Sequence, residues 1–343
     1  MKILVVLTGG TIGSRVNEKV INVNSAAAYN LIKLYQDKYG TDIEFEVIQP
    51  MNILSENLIP SYWKTLYDCL DKVAFDKYDG IIITYGSDTL AYTAAMTGFC
   101  YAHTTIPIVL VASNYALEDA RSNGLANFYN AVCFIREKKV KGVFTIFQND
   151  MKENIVYLAT RLMEADTYLD QFSSYGGVDF GRVTAGSFER IEHVQNPTLE
   201  ELNVPKKKLI ARNDIFEKSI LMIRPYPGLD YSSILLNDKI GAVLHCTYHS
   251  STVCEREGRY SAAEFVNRCR AQGIDIYACS FKHTENLYAT SAELLKAGVI
   301  PLMNISTEAA YAKLTLAYNQ QIMDAKKLMD ETIYYETLPA LLS

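Results

Sequence analysis

Two short segments of this sequence place hydroxyl side chains directly after an apolar run and a glycine. In the first segment, the apolar residues 3–7 are followed by Thr8, Gly9, Gly10 and Thr11. Because glycine has no Cβ, the backbone can turn sharply there and its N–H groups can come close to a bound group. A hydroxyl held beside such donors can attack a carbonyl carbon while the donors stabilise the oxyanion that forms. Thr11 is therefore the candidate nucleophile.

The second segment, residues 80–90, repeats this arrangement. Another apolar run leads to Gly86 and is followed by Ser87, Asp88 and Thr89, ahead of a helix-like stretch. Open α/β sheets bind ligands at the carboxyl ends of their strands, so the two turns are expected to lie side by side. Ser87 would add a second hydroxyl to the site. Asp88 would add a carboxylate that can pair with an ammonium group.

Further strands are predicted at 42–47, 107–113 and 142–147, with helical stretches between them. This alternation is typical of a doubly wound sheet, here with roughly five parallel strands. The segment from Ser14 to Ser25 is polar and has no convincing period, which predicts a mobile loop. The elements that position the two turns therefore form an α/β fold.

The length of the chain indicates two domains. Its 343 residues exceed one typical domain, at about 150 residues per domain. Between Arg182 and Lys218 the periodicity fades and prolines and charged residues accumulate. We therefore predict a larger N-terminal catalytic α/β domain over 1–185, a linker over 186–218, and a smaller C-terminal α/β domain over 219–343.

The composition limits the partners and the compartment of the protein. A net charge of -6 disfavours a nucleic-acid partner, which would require a basic face. No run approaches the roughly 18 apolar residues that a membrane span requires, and the N-terminus lacks the cleavage site of a secretory signal. Seven cysteines without a CxxC pair favour reduced thiols. We expect a cytoplasmic protein with no membrane or nucleic-acid partner.

Both hydroxyl-bearing turns resemble motifs of the L-asparaginase family of bacterial-type amidohydrolases. That family has TGGTI after its first strand, which residues 8–12 match in full, and HGTDT after a later strand. Residues 85–89 read YGSDT, with Tyr85 in place of histidine and Ser87 in place of threonine. The resemblance extends over most of the chain. It implies hydrolysis of L-asparagine or a related small amide to the acid and ammonia, without a cofactor or metal, by a homodimer or homotetramer with sites at the interface.

The resemblance also implies roles for single residues. Thr11 would be the nucleophile, Ser87 would pass a proton toward a lysine, and Asp88 would bind the substrate's ammonium group. Ser55, in the segment SENL, would hold the substrate's α-carboxylate. Glu56 replaces a neutral residue there and could pair with an α-ammonium group. The alternative interpretation of SENL is a serine turn followed by a solvated glutamate.

The family's catalytic lysine has no match in this sequence. The family places this lysine about nine residues before the phenylalanine of a D-A-F-x-S stretch, which residues 170–174, DQFSS, resemble. Counting back from Phe172 leads to Met163, whose neighbours include Arg161 and Glu164. Arg161 can supply positive charge but keeps its proton throughout the usable pH range, so it cannot act as a base. Glu164 could act as one. The third possibility is that the lysine has no replacement.

The family's lid tyrosine is also missing, because the first tyrosine after the TGGTI motif is Tyr29, on a predicted helix. The predicted catalytic residues are Thr11, Ser87, Asp88 and Arg161, and the predicted substrate-binding residues are Gly10, Ser55, Glu56, Gly86, Ser87 and Asp88.

Two other functions compete with hydrolysis. A binding protein of the same fold, with lost or weak turnover, would retain the binding residues and lack the base. A nucleotide-binding Rossmann protein would use Gly9, Gly10 and Gly13 to bind a pyrophosphate, but their spacing is not GxGxxG. Apart from these functions, His245 and His249 are four residues apart, and on a strand this even spacing would put both on one face. A metal site there lacks an obvious third ligand, so packing is the preferred interpretation of these histidines.

Overall fold

The computed structural model of the chain describes residues 1–10, 12, 14–17, 20–23, 25–149, 154–206, 208, 216–282, 286–319 and 324–339. Residues 1–210 form a first compact unit and residues 211–343 a second. Each unit is built on a β-sheet with helices, so the predicted α/β fold class is confirmed.

The first unit contains ten strands in its described part. In chain order they are β1 (Lys2–Leu7), β2 (Ser14–Asn17), β3 (Val20–Val23), β4 (Glu44–Ile48), β5 (Gly80–Thr84), β6 (Pro107–Val111), β7 (Gly142–Gln148), β8 (Asn154–Leu158), β9 (Gly181–Thr184) and β10 (Ser187–Arg190). Its helices are α1 (Ser25–Tyr39), α2 (Pro60–Leu70), α3 (Leu90–Tyr101), α4 (Gly124–Arg136) and α5 (Leu199–Asn203).

Eight of these strands form one sheet in the order β10-β9-β8-β7-β6-β5-β1-β4. The five strands β4, β1, β5, β6 and β7 pair in parallel, as predicted from four apolar runs and from the alternation over 42–47. The strands β8, β9 and β10 extend the sheet by antiparallel pairing. Because β1 lies between β4 and β5, the turns that follow β1 and β5 reach the same edge of the sheet.

The core of the first unit is the parallel part of the sheet and the helices on it. Ile3–Leu7, Ile81–Ile83 and Ile108–Val111 are fully buried. All twelve residues of α3 are buried as well. Helix α2 packs on α3 through a polar contact, in which Trp63 Nε1 donates to Thr93 Oγ1 at 2.8 Å. Helix α3, which begins just after the second hydroxyl turn, is therefore enclosed in the core of the first unit.

Two sequence predictions differ from the structure in this unit. The segment from Ser14 to Ser25 is not a loop, since β2 and β3 pair as an antiparallel hairpin and α1 begins at Ser25. Each of these strands is four residues long, and neither SRVN nor VINV alternates strictly between apolar and polar residues, so no period predicted them. The predicted linker 186–218 contains β10 and α5, and both lie within the first unit. A capping box between Thr198 and Glu201 starts α5 despite the surrounding prolines.

The second unit is a parallel sheet with helices. Its strands are β11 (Ser219–Ile223), β12 (Ile240–Cys246), β13 (Asp275–Phe281) and β14 (Ile300–Met303), in the order β11-β12-β13-β14. Its helices are α6 (Ala262–Ala271), α7 (Ala289–Ala297), α8 (Thr307–Tyr318) and α9 (Ala325–Asp330). The apolar core of this unit includes Val243, Phe265 and Ile276.

His245 lies inside this second core, whereas His249 does not. The His245 side chain is buried on β12 and its Nε2 lies 2.9 Å from the hydroxyl of Tyr231. Burial lowers the pKa of His245 to about 4. His249 follows the end of β12 at Cys246 and is exposed, so the expected even spacing along one strand face does not apply. Among the described residues no group of three or more potential metal ligands is found.

None of the helices in the described part of the chain has both the length and the apolar composition needed to cross a membrane.

Candidate active site

The turn after β1 is fixed to two neighbouring segments. Thr8 Oγ1 donates to the carbonyl oxygen of Thr84 at 2.6 Å, which joins the ends of β1 and β5. The N–H of Ile53 donates to the Thr8 carbonyl at 3.0 Å, and the N–H of Gly10 donates to the Ile53 carbonyl at 2.9 Å. The first hydroxyl turn is therefore held between the second turn and the segment that leads to Ser55.

The glycines of the two turns lie in direct contact. A Cβ built on Gly10 would lie 2.4 Å from the backbone nitrogen of Gly86, and a Cβ on Gly86 would lie 2.4 Å from Ser55 Oγ. Gly10 also has a positive φ of 74°, which glycine adopts at no steric cost. Only residues without a side chain allow the two backbones and Ser55 to approach this closely.

Ser55 and Asp88 complete this cluster. Ser55 is 4% exposed, and its Oγ donates to Asp88 Oδ2 at 3.3 Å. Thr89 Oγ1 donates to the Ser55 carbonyl at 2.9 Å, which ties the two segments a second time. The structure thus brings together four predicted substrate-binding positions: Gly10, Ser55, Gly86 and Asp88. Glu56 follows in the same short 3-10 helix, Ser55–Asn57, and is exposed.

The predicted nucleophile, Thr11, lies outside the described residues, as does Gly13. Its immediate neighbours are described. Gly10 belongs to the cluster above, and Ile12 is buried with 1% of its surface exposed.

A cavity of about 480 Å³ opens beside the second turn. Ser87, Asp88 and Asn114 line it from the sheet side, and Glu164, Asp166 and Asp170 from the loop that follows β8. Two of the catalytic predictions, Ser87 and Asp88, therefore face a space large enough for a small amino acid or amide. Sequence reasoning did not assign Asn114, Asp166 or Asp170 to the site. Asn114 and Asp166 lie on loops without a motif or a period, and the stretch that begins at Asp170 served only to locate the lysine position.

Glu164 stands in this cavity with its carboxylate fixed. The hydroxyl of Tyr92, a residue of α3, donates to Glu164 Oε1 at 2.7 Å. Of the three interpretations of the missing lysine, a Glu164 base is the one whose carboxylate shares a cavity with Ser87. The count back from Phe172 was the sequence signal that led to this position.

Arg161, in contrast, is held by another segment. Its side chain is 3% exposed and its Nη1 donates to the Gln195 carbonyl at 2.6 Å. The N–H of Tyr175 donates to the Arg161 carbonyl at 2.7 Å. Arg161 does not stand among the described residues that line the cavity. Its catalytic role stays a prediction, and its contacts are those of a residue that fixes the loop after β8.

The loop that carries Glu164, Asp166 and Asp170 is closed by its own hydrogen bonds. Asp166 Oδ1 accepts the N–H groups of Tyr168 and Leu169, each at 2.9 Å. These two N–H groups lower the pKa of Asp166. Asp170 adopts a positive φ of 53° and its N–H donates to the Asp166 carbonyl at 2.8 Å. The acidic wall of the cavity, formed by Glu164, Asp166 and Asp170, is therefore held in shape by a hydrogen-bonded turn.

Tyr85, which stands where the family motif has histidine, is enclosed. Its side chain is 1% exposed, and burial raises its pKa. The phenol therefore keeps its proton in neutral solution. Two side chains after β6, Ser122 and Asn127, hold loops in place. Asn127 Nδ2 donates to the Ala112 carbonyl at 2.9 Å, and Ser122 Oγ donates to the Tyr115 carbonyl at 3.1 Å.

Comparison with known proteins gives one family and one fold. The family described as Asparaginase, N-terminal, matches residues 2–196. Among sequence relatives, a glutamyl-tRNA(Gln) amidotransferase component from Methanococcus maripaludis is 28% identical over 342 residues, covering 96% of this chain and 79% of that protein.

Among solved structures, the thermostable L-asparaginase from Thermococcus kodakarensis has a TM-score of 0.77 at 24% identity, covering 99% of this chain and all of that chain. L-asparaginase I from Vibrio cholerae has a TM-score of 0.75 at 22% identity, covering 98% of this chain and 99% of that chain. At these identities the two structures show the fold.

Proposed function

Because the chain belongs to the asparaginase family of amidohydrolases, we propose that it hydrolyses L-asparagine or a related small carboxamide to the corresponding acid and ammonia. The observation that carries this proposal is the cluster of Gly10, Ser55, Gly86 and Asp88 beside the cavity. Those residues can provide backbone donors for an oxyanion and polar partners for an amino acid.

In the proposed reaction, the Thr11 hydroxyl attacks the carbon of the carboxamide and forms a tetrahedral oxyanion. Collapse of this intermediate breaks the carbon–nitrogen bond, and the nitrogen leaves as ammonia after taking up a proton. Water then hydrolyses the acyl ester on Thr11 and releases the acid. The N–H groups next to the glycine turns would stabilise the oxyanion in both steps.

We assign the acid–base work to Ser87 and Glu164. Ser87 would pass the proton of Thr11 to the Glu164 carboxylate, which Tyr92 fixes at 2.7 Å. A carboxylate then performs the task for which the family uses a lysine, and it returns the proton to the leaving nitrogen. Asp88 would pair with the substrate's ammonium group, and Ser55 would contact its α-carboxylate.

The decisive test is ammonia release from L-asparagine by the wild-type protein and by Thr11→Ala. We expect turnover in the wild type and none in the variant, because the backbone donors act only on a substrate that a nucleophile attacks. A rate that does not change in Thr11→Ala would place the hydrolysis outside this site.

The alternative is a binding protein of the same fold with weak or no turnover. Calorimetric titration with L-aspartate and L-asparagine, run beside the ammonia assay, separates the two. Binding of both ligands without ammonia release would favour the binding protein. The Asp88→Ala variant should lose binding in either case, because it removes a charge-assisted pair from the ligand's ammonium group.

The sequence relatives favour a second candidate function. The relative from Methanococcus maripaludis is named as one component of a glutamyl-tRNA(Gln) amidotransferase, and a Thermococcus kodakarensis protein of the same name is 25% identical over 351 residues. In that function the chain would release ammonia from an amide for use by a partner protein. Release from L-glutamine that exceeds release from L-asparagine would favour it.

We also propose that the chain forms a homodimer or homotetramer. The mass of one chain is 38.5 kDa, so sedimentation should give about two or four times that value. A monomer at the concentration of the activity assay would remove this part of the proposal.

A further inference from the structure

The cavity beside the candidate active site is acidic on the sides that the described residues form. Carboxylate side chains line it at Asp88, Glu164, Asp166 and Asp170. No lysine, arginine or histidine stands among the described residues that line it. Under the proposed function, Asp88 pairs with an ammonium group and Glu164 takes a proton. Asp166 and Asp170 have no task in that reaction.

Asp166 and Asp170 owe their positions to the fold of their loop. Two backbone N–H groups bind Asp166 Oδ1 and lower its pKa, so this carboxyl group is ionised in neutral solution. Asp170 sits at the closing position of the same turn, with a φ of 53°. In the described part of the chain neither carboxylate forms an ion pair. Both side chains are exposed and line the cavity, so their charges act on an occupant of the cavity with the reduced strength of solvent-screened charges.

The negative charge of the cavity affects which substrates bind there. The site is the one assigned above, and the acidic side chains influence only the net charge of the substrate that binds in it. L-Asparagine carries one ammonium and one carboxylate group, so the acidic wall attracts one end of it and repels the other. An amide that has the ammonium group and no free carboxylate is attracted without this opposing repulsion.

Resting on the proposed function, we propose that this site selects small carboxamides with a net positive charge over zwitterionic amino acids. The matched probes are L-asparaginamide and L-asparagine, which share the side-chain amide and the ammonium group. They differ in that asparaginamide has a second carboxamide where asparagine has its α-carboxylate.

The experiment measures binding of both probes by calorimetry to Thr11→Ala, which removes the proposed nucleophile. The charge is then removed by the double change Asp166→Asn and Asp170→Asn on the same background. Asparagine keeps an oxygen that can accept the N–H groups of Tyr168 and Leu169, and it tolerates a positive φ. The matched control is Asp37→Asn, an exposed acid of α1, the helix that precedes the outermost parallel strand β4.

We expect asparaginamide to bind more tightly than asparagine, and the double change to reduce this preference about 2-fold or more, since exposed charges each contribute about 1.4-fold to 5-fold. Asp37→Asn should leave the preference unchanged. Raising the NaCl concentration to about 1 M, where the Debye length is about 3 Å, should reduce the preference in the same direction.

Two outcomes overturn the inference. One is asparagine binding as tightly as asparaginamide, and the other is a preference that the double change does not alter. In both cases, ammonia release by the wild-type protein still supports the proposed hydrolysis. If the wild type releases no ammonia from either amide and neither probe binds to Thr11→Ala, the proposed function fails and the inference fails with it.

Discussion

The contact between Gly10 and Gly86 makes the candidate active site depend on the absence of two side chains. Gly177 offers a control, because its φ of 75° matches the 74° of Gly10 while a Cβ on Gly177 would meet no atom within 4 Å. The two glycines thus separate the cost of backbone strain from the cost of contact.

We predict that Gly10→Ala lowers the free energy of unfolding by about 1–3 kcal/mol more than Gly177→Ala. The added Cβ meets backbone atoms of residues 85 and 86, which cannot rotate away as a side chain can. Urea unfolding measures the stability and ammonia release the activity. Equal losses in the two variants would mean that the turns tolerate separation.

Glu164 is the second residue whose role can be isolated. We predict that Glu164→Gln slows ammonia release by about 10²-fold to 10⁴-fold, the range for a positioned general base. Binding of L-asparagine should persist, because glutamine keeps an oxygen that can accept from Tyr92. Tyr92→Phe is the matched control, since it removes the contact of 2.7 Å but not the carboxylate, and it should slow release less. Full activity in Glu164→Gln would exclude a Glu164 base.

At the scale of elements, the segment after β8 has two parts. Its first part holds the fold together, and its second part lines the cavity where we propose that the reaction takes place. The short helix Ala159–Arg161 is buried and connects to the Gln195 carbonyl through the guanidinium. Further along, the loop turns back at Asp166 and lines the cavity. A substitution of Arg161 therefore tests whether this residue supports the reaction through its charge or only fixes the position of the segment.

We predict that Arg161→Met destabilises the first unit by about 1.5–3 kcal/mol, because the Gln195 carbonyl loses a charged donor. The rate per folded molecule should fall less than in Glu164→Gln. Ammonia release normalised to the folded fraction, taken from urea unfolding, measures this. A rate loss as large as that of Glu164→Gln, with stability unchanged, would instead support the electrostatic role.

The same segment shows where sequence reasoning ends. The strands β1, β5, β6 and β7 were predictable because continuous apolar runs are typical of parallel strands buried on both faces. The strands β9 and β10 are four residues long and half exposed, so their patterns resemble the surrounding loops. Asp166 and Asp170 reach the cavity through a turn closed by backbone hydrogen bonds, which a local motif does not encode.

At the scale of the whole molecule, the sequence motifs predicted one side of the site, which the two glycine turns form. The other side, the loop around Asp166, could be located only in the folded structure. TGGTI and YGSDT predicted that Gly10, Gly86 and Asp88 would meet, because neighbouring parallel strands end at one edge of a sheet. The length of the chain predicted two domains but not where they divide. The approach of the distant loop around Asp166 to Asp88 depends on long-range packing, and no periodicity reports it.

The buried histidine of the second unit, His245, links the stability of that unit to pH. The pKa of His245 is about 4 in the folded protein against 6.5 for an ordinary histidine. Between these values the unfolded chain binds the proton and the folded chain does not, so stability falls as the pH falls from about 6.5 to about 4. The loss amounts to about 3 kcal/mol.

We predict that His245→Gln loses most of this dependence on pH, while His249→Gln, a change at an exposed position, keeps it. Urea unfolding at a series of pH values between these limits measures the effect. An equal slope in wild type and His245→Gln would mean that other groups govern the loss of stability in acid.

All twelve residues of α3 are buried, and this burial restricts the motion of the side of the site that is attached to the helix. The N–H of Leu90, the first residue of α3, donates to the Ser87 carbonyl at 3.3 Å, so the second turn is anchored to an enclosed helix. Asp166 and Asp170, across the cavity, are exposed. We expect the α3 amides to exchange hydrogen with solvent only when the first unit unfolds globally, and those of the acidic loop to exchange through local opening. Substrate would then enter past the locally opening loop that carries Asp166 and Asp170, toward the fixed turn at Ser87 that is anchored to α3.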